Sequence, residues 1–338
     1  MRQGETGARA LRDSVELAKA TEALGYARFW VAEHHSAGTF AGTSPEILIG
    51  QILASTSRIR VGSGGVMLTH YSALKVAEQF RVLESFYPGR VDLGIGRAPG
   101  SDQRTMLALA YPKRPVDVET FPQQVVDLVG YLHDALQPDH PFASLKAAPG
   151  PKPETSPHVW LLGSSDYSAR LAAHLGLPFA FADFFGTTSG HGPAVAELYR
   201  REFEPSALCE EPHLNVTVQV VCAPSTEEVD RVSASRNFNR ARRVLAAQGE
   251  EVSEGLLPPE EAAAKPLSEA ARAHVQAYIE GCIDGDPDQV KAGILTTSER
   301  YETRDVGIVS IAYALTDRIR SYELVAQAFG LPGGEGAK

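Results

Sequence analysis

The stretch G-R-V-D-L-G-I-G-R, residues 89–97, follows a helical pattern over residues 72–86 and contains a short apolar strand, predicted at residues 90–95. The same order of helix, strand and glycine-rich or polar turn recurs along the chain. Further strands are predicted at 28–33, 59–62, 158–162, 178–182, 214–222 and 306–311, and further helices at 8–25, 44–56, 117–135, 167–175, 191–204, 226–245 and 317–329. Strands that alternate with helices in this way indicate an α/β protein with a parallel sheet and helical crossovers.

The chain of 338 residues is predicted to form a single domain, residues 1–338, because α/β barrels of this length commonly do so. Two segments interrupt the alternation. Residues 137–157 are rich in proline and predict a loop, and residues 246–285 form an insertion in the last repeat. An insertion of that length in a compact domain is usually a lid or an active-site cover, so we predict a lid at 246–285.

The composition excludes several classes of partner. The net charge is −10 and the isoelectric point is about 5.5, which argues against a nucleic acid or an anionic membrane as partner. The three cysteines show no C-x-x-C spacing and are predicted to be reduced thiols. The first residues lack the apolar region of a signal peptide, and no apolar stretch approaches a membrane span, so a cytoplasmic location is expected.

Chemically active side chains gather where the predicted strands end, which is where barrels of this kind carry their active sites. The first predicted strand ends in Glu33, which is followed by His34 and His35. Three interpretations compete: a metal site, acid–base or flavin chemistry, and histidines that only terminate a strand. The next predicted strand runs into G-S-G-G, residues 62–65, where glycines would let a ligand approach the backbone unless the segment is a plain turn.

Two further strand ends predict an anion site. Arg97 emerges from a buried strand between glycines, which suits bidentate binding of an anion, and pairing with Asp92 is the structural alternative. The stretch L-G-S-S-D-Y-S, residues 162–168, puts several hydroxyls at the start of a helix, where free backbone N–H groups favour phosphate. Ordinary N-capping would need only one of these serines. Together, the strand ends suggest a phosphorylated planar cofactor across a barrel mouth.

Four segments, taken in order, resemble the bacterial luciferase-like monooxygenase family: V-A-E-H-H (31–35), R-V-G-S-G-G-V-M-L (60–68), G-R-V-D-L-G-I-G-R-A-P-G (89–100) and G-D-P-D-Q-V (285–290). The likeness covers nearly the whole chain and is closest to the single-chain, alkanal-monooxygenase-like members. It implies a TIM-type barrel and a flavin-dependent monooxygenase that uses reduced FMN, as a diffusible cosubstrate, and dioxygen to oxygenate a small organic substrate. It also implies a flavin reductase as the source of reduced flavin, and a homodimer with helices 44–56 and 72–86 as its candidate interface.

The resemblance also carries roles for single residues. His34 matches the histidine beside the flavin that is important for catalysis. Gly64 and Gly65 match a strand-end pair that often holds a cis peptide bond against the flavin ring. Gly96 is placed in the cofactor site and stands where the true luciferases have a reactive cysteine, so thiol chemistry with the flavin is not expected.

The flavin phosphate is expected at the third and fourth strand ends. Arg97 matches an arginine that contacts the phosphate, and Ser165 and Ser168 match phosphate-binding positions in the family. Ser164 and Tyr167 lie in the same stretch and are predicted to belong to the same cofactor site. No metal ligand is predicted for this reaction.

Alternatives stay open from the sequence alone. Some branches of the family use a deazaflavin, and others contain non-catalytic flavin-binding proteins. A metal-dependent barrel hydrolase would instead use Glu33, His34 and either His70 or His213 as ligands. An aldehyde, a sulfur compound or a larger natural product would each suit the monooxygenase as substrate.

The fold class predicted is a TIM-type (β/α)8 barrel whose first strand is missing from this chain. Such a barrel needs a strand before the helix at 8–25, but the few residues that precede this helix contain no apolar run. Family members that resemble this chain carry an apolar strand there. We therefore predict that Met1 is an internal or misassigned start. We also expect a gap in the wall between the strands at 28–33 and 306–311, with exposed apolar side chains beside it.

Overall fold

The structure is a computed structural model and describes residues 1–97, 102–112, 115, 117–149, 155–186, 188–250, 252 and 254–333, so residues 98–100 of the third strand-end motif lie outside it. Within these ranges, eight strands form one parallel sheet: β1 Arg28–Val31, β2 Arg60–Met67, β3 Val91–Gly96, β4 His158–Gly163, β5 Phe179–Asp183, β6 Leu214–Cys222, β7 Ile283–Gly285 and β8 Asp305–Val309. The order is β1-β2-β3-β4-β5-β6, and both β7 and β8 pair with β6. The seven predicted strands and the parallel sheet are confirmed.

Twelve helices occur in the described ranges: α1 Gly7–Ala23, α2 Pro45–Ser55, α3 Ala73–Phe86, α4 Gln103–Ala110, α5 Phe121–His133, α6 Asp166–His174, α7 Gly192–Arg201, α8 Thr226–Ala247, α9 Pro259–Ala264, α10 Glu269–Ile279, α11 Pro287–Tyr301 and α12 Leu315–Phe329. All eight predicted helices are present. None of the helices in these ranges is long and apolar enough to cross a membrane.

Helix α11 and strand β7 were not predicted from the sequence. The α11 helix begins with a capping box, in which the Asp286 side chain accepts hydrogen bonds from the backbone N–H groups of Asp288 and Gln289. This start signal stands in the motif G-D-P-D-Q-V and could have been recognised. Strand β7 has only three residues, and a strand that short leaves no alternating pattern to detect.

The sheet curls into a half-barrel, and the main hydrophobic core lies between the strands and the helices around them. Val61 of β2 pairs with Val91 of β3, and Leu93 pairs with Val159 of β4, and all four side chains are buried. Because the strands are parallel, the carboxyl ends of β1 to β6 lie at the same edge of the sheet. The residues that follow the strands are therefore brought together at that edge.

The two outer strands of the half-barrel, β1 and β8, do not pair with each other in the described part of the chain. Near their amino ends, the Arg28 guanidinium contacts the Asp305 carboxylate at 2.8 Å. Phe29 of β1 and Val306 and Ile308 of β8 are only half-buried, unlike the fully buried residues of the central strands. The predicted gap between these two strands is confirmed, and apolar side chains are partly exposed along it.

Asp305 lies on the edge strand β8, and its polar contacts contribute to the stability of that edge. Burial alone would raise the pKa of its carboxyl group, but hydrogen bonds from His213 and Asn215 and the nearby Arg28 charge hold that pKa below its ordinary value. A carboxylate whose pKa is lowered by folding stabilises the protein at pH values above its unfolded-state pKa. This stabilisation is lost as the pH falls through the folded-state pKa.

We therefore expect Asp305→Asn to lower the free energy of unfolding by about 1–2 kcal/mol at pH 7, as for a partly exposed charged hydrogen-bonding group. The difference from the wild type should shrink once the pH falls below the ordinary aspartate pKa of about 3.9. Urea denaturation of the wild type and the variant, at pH 7 and in acid, measures the difference in free energy of unfolding at each pH. A difference that does not change with pH would mean that the Asp305 charge does not stabilise this edge.

Of the predicted insertion at 246–285, whose residues 251 and 253 lie outside the description, residues 246–282 belong to a longer helical section between β6 and β7, and residues 283–285 form β7 itself. Helix α8 packs against α9 and α10 around a separate apolar cluster of Phe238, Leu245, Leu257 and Val275. The helix predicted at 226–245 was expected to be a regular barrel crossover. It belongs instead to this section, which we call the α8–α10 layer. A role for the layer as a lid stays a prediction.

Two neighbouring helices expose apolar side chains that a homodimer would bury. Ile47 on α2 is 65% exposed and Phe86 on α3 is 74% exposed. Ile47 and Val82 line a shallow groove on this face. Exposed apolar side chains that cluster in this way are typical of protein interfaces, and we propose that α2 and α3 form the dimer contact.

We expect the protein to be a dimer at micromolar concentration and Ile47→Asp to be a monomer, because the interface would have to bury an unpaired carboxylate. Light scattering coupled to size exclusion measures the mass. The matched control is Leu208→Asp, since Leu208 is an exposed apolar residue outside these helices. A monomeric wild type, or dissociation of the control as well, would contradict the proposal.

Candidate active site

One large cavity runs along the inside of the half-barrel, from Arg28 and Asp305 at the amino ends of β1 and β8 to the carboxyl ends of the strands. Its volume is about 2250 Å³, well above the roughly 300–1,000 Å³ of ordinary ligand pockets. Eight of the nine predicted site residues line it: His34, Gly64, Gly65, Gly96, Arg97, Ser164, Ser165 and Ser168. The ninth, Tyr167, lies beside it, with its ring centroid 4.2 Å from the Arg97 guanidinium carbon. All nine predicted site residues therefore line or adjoin the same cavity.

A buried carboxylate follows β1. Both oxygens of Glu33 are used, because one accepts a hydrogen bond from the Met67 backbone N–H at 2.9 Å and the other from the Tyr71 hydroxyl at 2.7 Å. The His35 Nε2 atom lies 2.7 Å from the second oxygen. Burial and the bond to Glu33 raise the pKa of Tyr71. This cluster ties the end of β1 to the end of β2 and gives His35 a structural role.

His34 takes a different position from its neighbour. Its backbone N–H donates to the Gly42 carbonyl at 2.9 Å, and its ring stands 4.6 Å from the Phe40 ring. The side chain is half-buried in the cavity wall. His34 therefore borders the space in which a ligand would bind.

The metal-ligand interpretation does not fit this geometry. Both Glu33 oxygens already accept hydrogen bonds, and His213 precedes β6 and contacts Asp305 at 3.0 Å. His213 therefore lies at the amino ends of the strands, opposite the edge that holds His34. In the described ranges, no group of three or more His, Cys, Asp or Glu side chains is arranged to hold a metal ion.

The glycine pair on β2 allows the close strand packing at the cavity wall. The peptide bond between Gly64 and Gly65 is cis, as the resemblance implied. A Cβ atom at position 65 would lie 2.7 Å from the Gly94 carbonyl oxygen, so no larger residue fits there. At position 64 a Cβ atom would lie 3.3 Å from the Trp30 Cβ atom.

The structural alternative paired Arg97 with a nearby carboxylate such as Asp92, and for Asp92 this is wrong. Asp92, its proposed partner, is engaged instead by the Arg60 guanidinium at 2.6 Å and by the Trp30 indole N–H at 2.9 Å. The Arg97 guanidinium lies over the Tyr167 ring and lines the cavity. Its charge therefore faces the space in which a ligand would bind.

Helix α6 begins at the same wall. Ser165 is its N-cap residue, yet its side chain makes no capping hydrogen bond, and its Oγ atom lies 3.5 Å from that of Ser168. The capping interpretation therefore does not account for these serines. Free N–H groups at a helix start, with hydroxyls and a guanidinium beside them, form a favourable environment for a phosphate group.

Several polar residues inside the half-barrel were not predicted from the sequence. Asn215, Thr217 and Gln219 of β6 line the cavity, as does Trp30 of β1. The β6 residues stand at every second position of the strand, and this alternation predicts that they share one face. The pattern could have been recognised within L-N-V-T-V-Q-V-V-C, residues 214–222. The arginines of α8 that line the cavity were not predicted either.

The fold is an α/β half-barrel with one large cavity, and the predicted site residues line it near the carboxyl ends of the strands. A family model for luciferase-like monooxygenases matches residues 1–303. The chain belongs to the luciferase-like monooxygenase family and is an oxidoreductase that incorporates oxygen.

Relatives of similar length support this assignment. The Bacillus subtilis protein YwcH is 43% identical over 97% of this chain and 96% of its own. An N-acetyl-S-alkylcysteine monooxygenase from the same organism is 37% identical over 96% of this chain and 94% of its own.

Solved structures share the fold. The crystal structure of apo-MsnO8 has a TM-score of 0.85 and 37% identity, and the match covers 98% of this chain and 96% of that one. The oxygenating constituent of a Pseudomonas putida 3,6-diketocamphane monooxygenase, in complex with FMN, has a TM-score of 0.70 at 17% identity. The match covers 96% of this chain and 94% of that one. An F420-dependent secondary alcohol dehydrogenase has a TM-score of 0.66 at 16% identity, and the match covers 96% of this chain and 95% of that one.

Proposed function

We propose that this protein is a flavin-dependent monooxygenase that uses reduced FMN and dioxygen to oxygenate a small organic substrate. The observation that carries the proposal is the cavity wall at the ends of β3 and β4, where Arg97 and the start of α6, whose N-cap side chain makes no capping bond, border the cavity that His34 lines. A phosphorylated flat cofactor fits this arrangement, because its phosphate would meet Arg97 and the start of α6 and its ring would lie near His34.

Each residue would have a separate task. Arg97, Ser165 and Ser168 would bind the phosphate, and the absence of side chains at Gly64 and Gly65 would let a flat ring lie close to the backbone. When bound, reduced FMN supplies the electrons that activate dioxygen. His34 would hold or move a proton at its imidazole nitrogen.

The α8–α10 layer would exclude water while the reaction proceeds. Because reduced flavin would enter as a diffusible cosubstrate, a flavin reductase is the partner that the proposal requires. Two relations support the choice of FMN: the structural neighbour in complex with FMN and the monooxygenase names of the relatives.

Titration with FMN and with a deazaflavin, each oxidised and reduced, tests the cofactor. Dioxygen consumption with a flavin reductase and a substrate panel tests the reaction. The panel should contain aldehydes and thioethers, including an N-acetyl-S-alkylcysteine because one relative is named for that substrate. We expect reduced FMN to bind and at least one substrate to raise dioxygen consumption above the reductase background. Binding of reduced deazaflavin alone, or FMN binding without any oxygenation, would overturn the proposal.

A further inference from the structure

One face of helix α8 turns a row of arginines towards the cavity. Arg236, Asn239, Arg240 and Arg243 line the cavity and follow one another at steps of three, one and three residues, which places them on one helical face. The opposite face carries Phe238, Ala241 and Leu245, which pack inside the α8–α10 layer. The polar face of this amphipathic helix thus borders a ligand cavity.

The three arginines of this face differ in their partners, and a fourth arginine of α8, Arg242, also lines the cavity and donates to the Asn239 side chain and the Gly255 carbonyl. Arg236 is 2% exposed and forms an ion pair with Asp284 at 2.5 Å, so its charge is already compensated. Arg240 donates to the Phe185 carbonyl at 3.1 Å and lies over the Tyr278 ring, but its buried Nε atom has no hydrogen-bond partner. Within the described ranges, no carboxylate lies within ion-pair distance of either Arg240 or Arg243, although Glu250 and Glu254 line the same cavity.

The contacts of Arg240 fix where this charge lies. Phe185 follows β5, and the hydroxyl of Tyr278 donates to the Gln219 side chain of β6 at 3.3 Å. Arg240 is therefore held beside the ends of β5 and β6. The residues proposed to bind the flavin lie at the ends of β1 to β4, and both sets line the same cavity.

We propose that Arg240 and Arg243 bind the carboxylate of an organic-acid substrate, with the rest of that substrate extending towards His34. This inference rests on the proposed function, because it identifies the substrate class of the same site. A guanidinium matches a carboxylate in geometry and can bind it with two hydrogen bonds. These cations would also repel a cationic substrate and would bind a neutral one more weakly than an anion.

Matched pairs of acids and primary amides test the proposal: N-acetyl-S-methylcysteine, phenylacetate and octanoate, each with its amide. Calorimetric titration of the FMN-saturated protein gives the dissociation constants. We expect the acid of each binding pair to bind about tenfold to a hundredfold more tightly than its amide, as for a charge-assisted hydrogen bond. The preference should fall in Arg240→Met and Arg243→Met and should disappear in the double variant.

Arg272→Met is the matched control, since Arg272 is exposed on α10 in the same layer and does not line the cavity. It should keep the full preference. If Arg240→Met does not fold, Arg243→Glu carries the test, because Arg243 is exposed and its charge reversal should abolish the preference.

Three results would overturn the proposal: no acid binds, acids and amides bind equally, or the preference survives in the double variant. Weaker FMN binding in the variants, with acid binding unchanged, would also overturn it, because the arginines would then serve the flavin phosphate. An acid preference in a protein that consumes no dioxygen would refute the proposed function and leave the carboxylate site in place.

Discussion

We expect His34→Ala to lower the rate of substrate oxygenation by about a hundredfold to ten-thousandfold, the usual loss when a group that transfers a proton is removed. The affinity for FMN should change little, because the proposed contacts to the phosphate come from Arg97 and the start of α6. The turnover rate follows from dioxygen consumption at saturating reduced flavin, and the dissociation constant follows from flavin fluorescence.

His35→Ala is the control, because this neighbouring histidine contacts the buried Glu33 carboxylate at 2.7 Å. Its loss removes one partner from a buried charge, so the free energy of unfolding should fall by about 1–3 kcal/mol. The folded fraction should retain most of its turnover. If both variants folded normally and lost activity equally, the separate roles of the two histidines would be refuted.

Arg97→Ala should weaken FMN binding by about tenfold to a hundredfold, because a guanidinium hydrogen bond to phosphate contributes about 1.5–3 kcal/mol. Riboflavin serves as the control ligand, since it has the same ring system and no phosphate, and its dissociation constant should change little. Fluorescence titration of both ligands against both proteins gives the four constants.

Ser165→Ala should show the same selectivity for FMN over riboflavin with a smaller effect, since a hydroxyl is uncharged. The basis for this expectation is that Ser165 makes no capping hydrogen bond, so its removal should not shorten α6. Equal weakening of FMN and riboflavin in either variant would mean that these residues contact another part of the ligand.

Local patterns were sufficient to predict most of the elements. The strand in residues 90–95 and the helix in residues 72–86 each carry a full pattern of apolar residues, and both are present as β3 and α3. Strand β7 was missed because three residues cannot display a period. Helix α8 was recognised as a helix but assigned to the barrel, because amphipathic periodicity shows that one face is buried and not what buries it.

The sequence by itself determined the alternation of strands and helices, the residues at each strand end, and the family to which they are similar. It also predicted that these residues meet, since the carboxyl ends of parallel strands share one edge. Only the tertiary structure decided which of several partners each polar group takes. Asp92 pairs with Arg60, which leaves the Arg97 charge directed to the cavity, and Glu33 takes His35 and leaves His34 in the cavity wall. Such choices depend on distances of a few ångströms between segments far apart in the chain, because hydrogen bonds and ion pairs form only within that range, and residue order does not specify those distances.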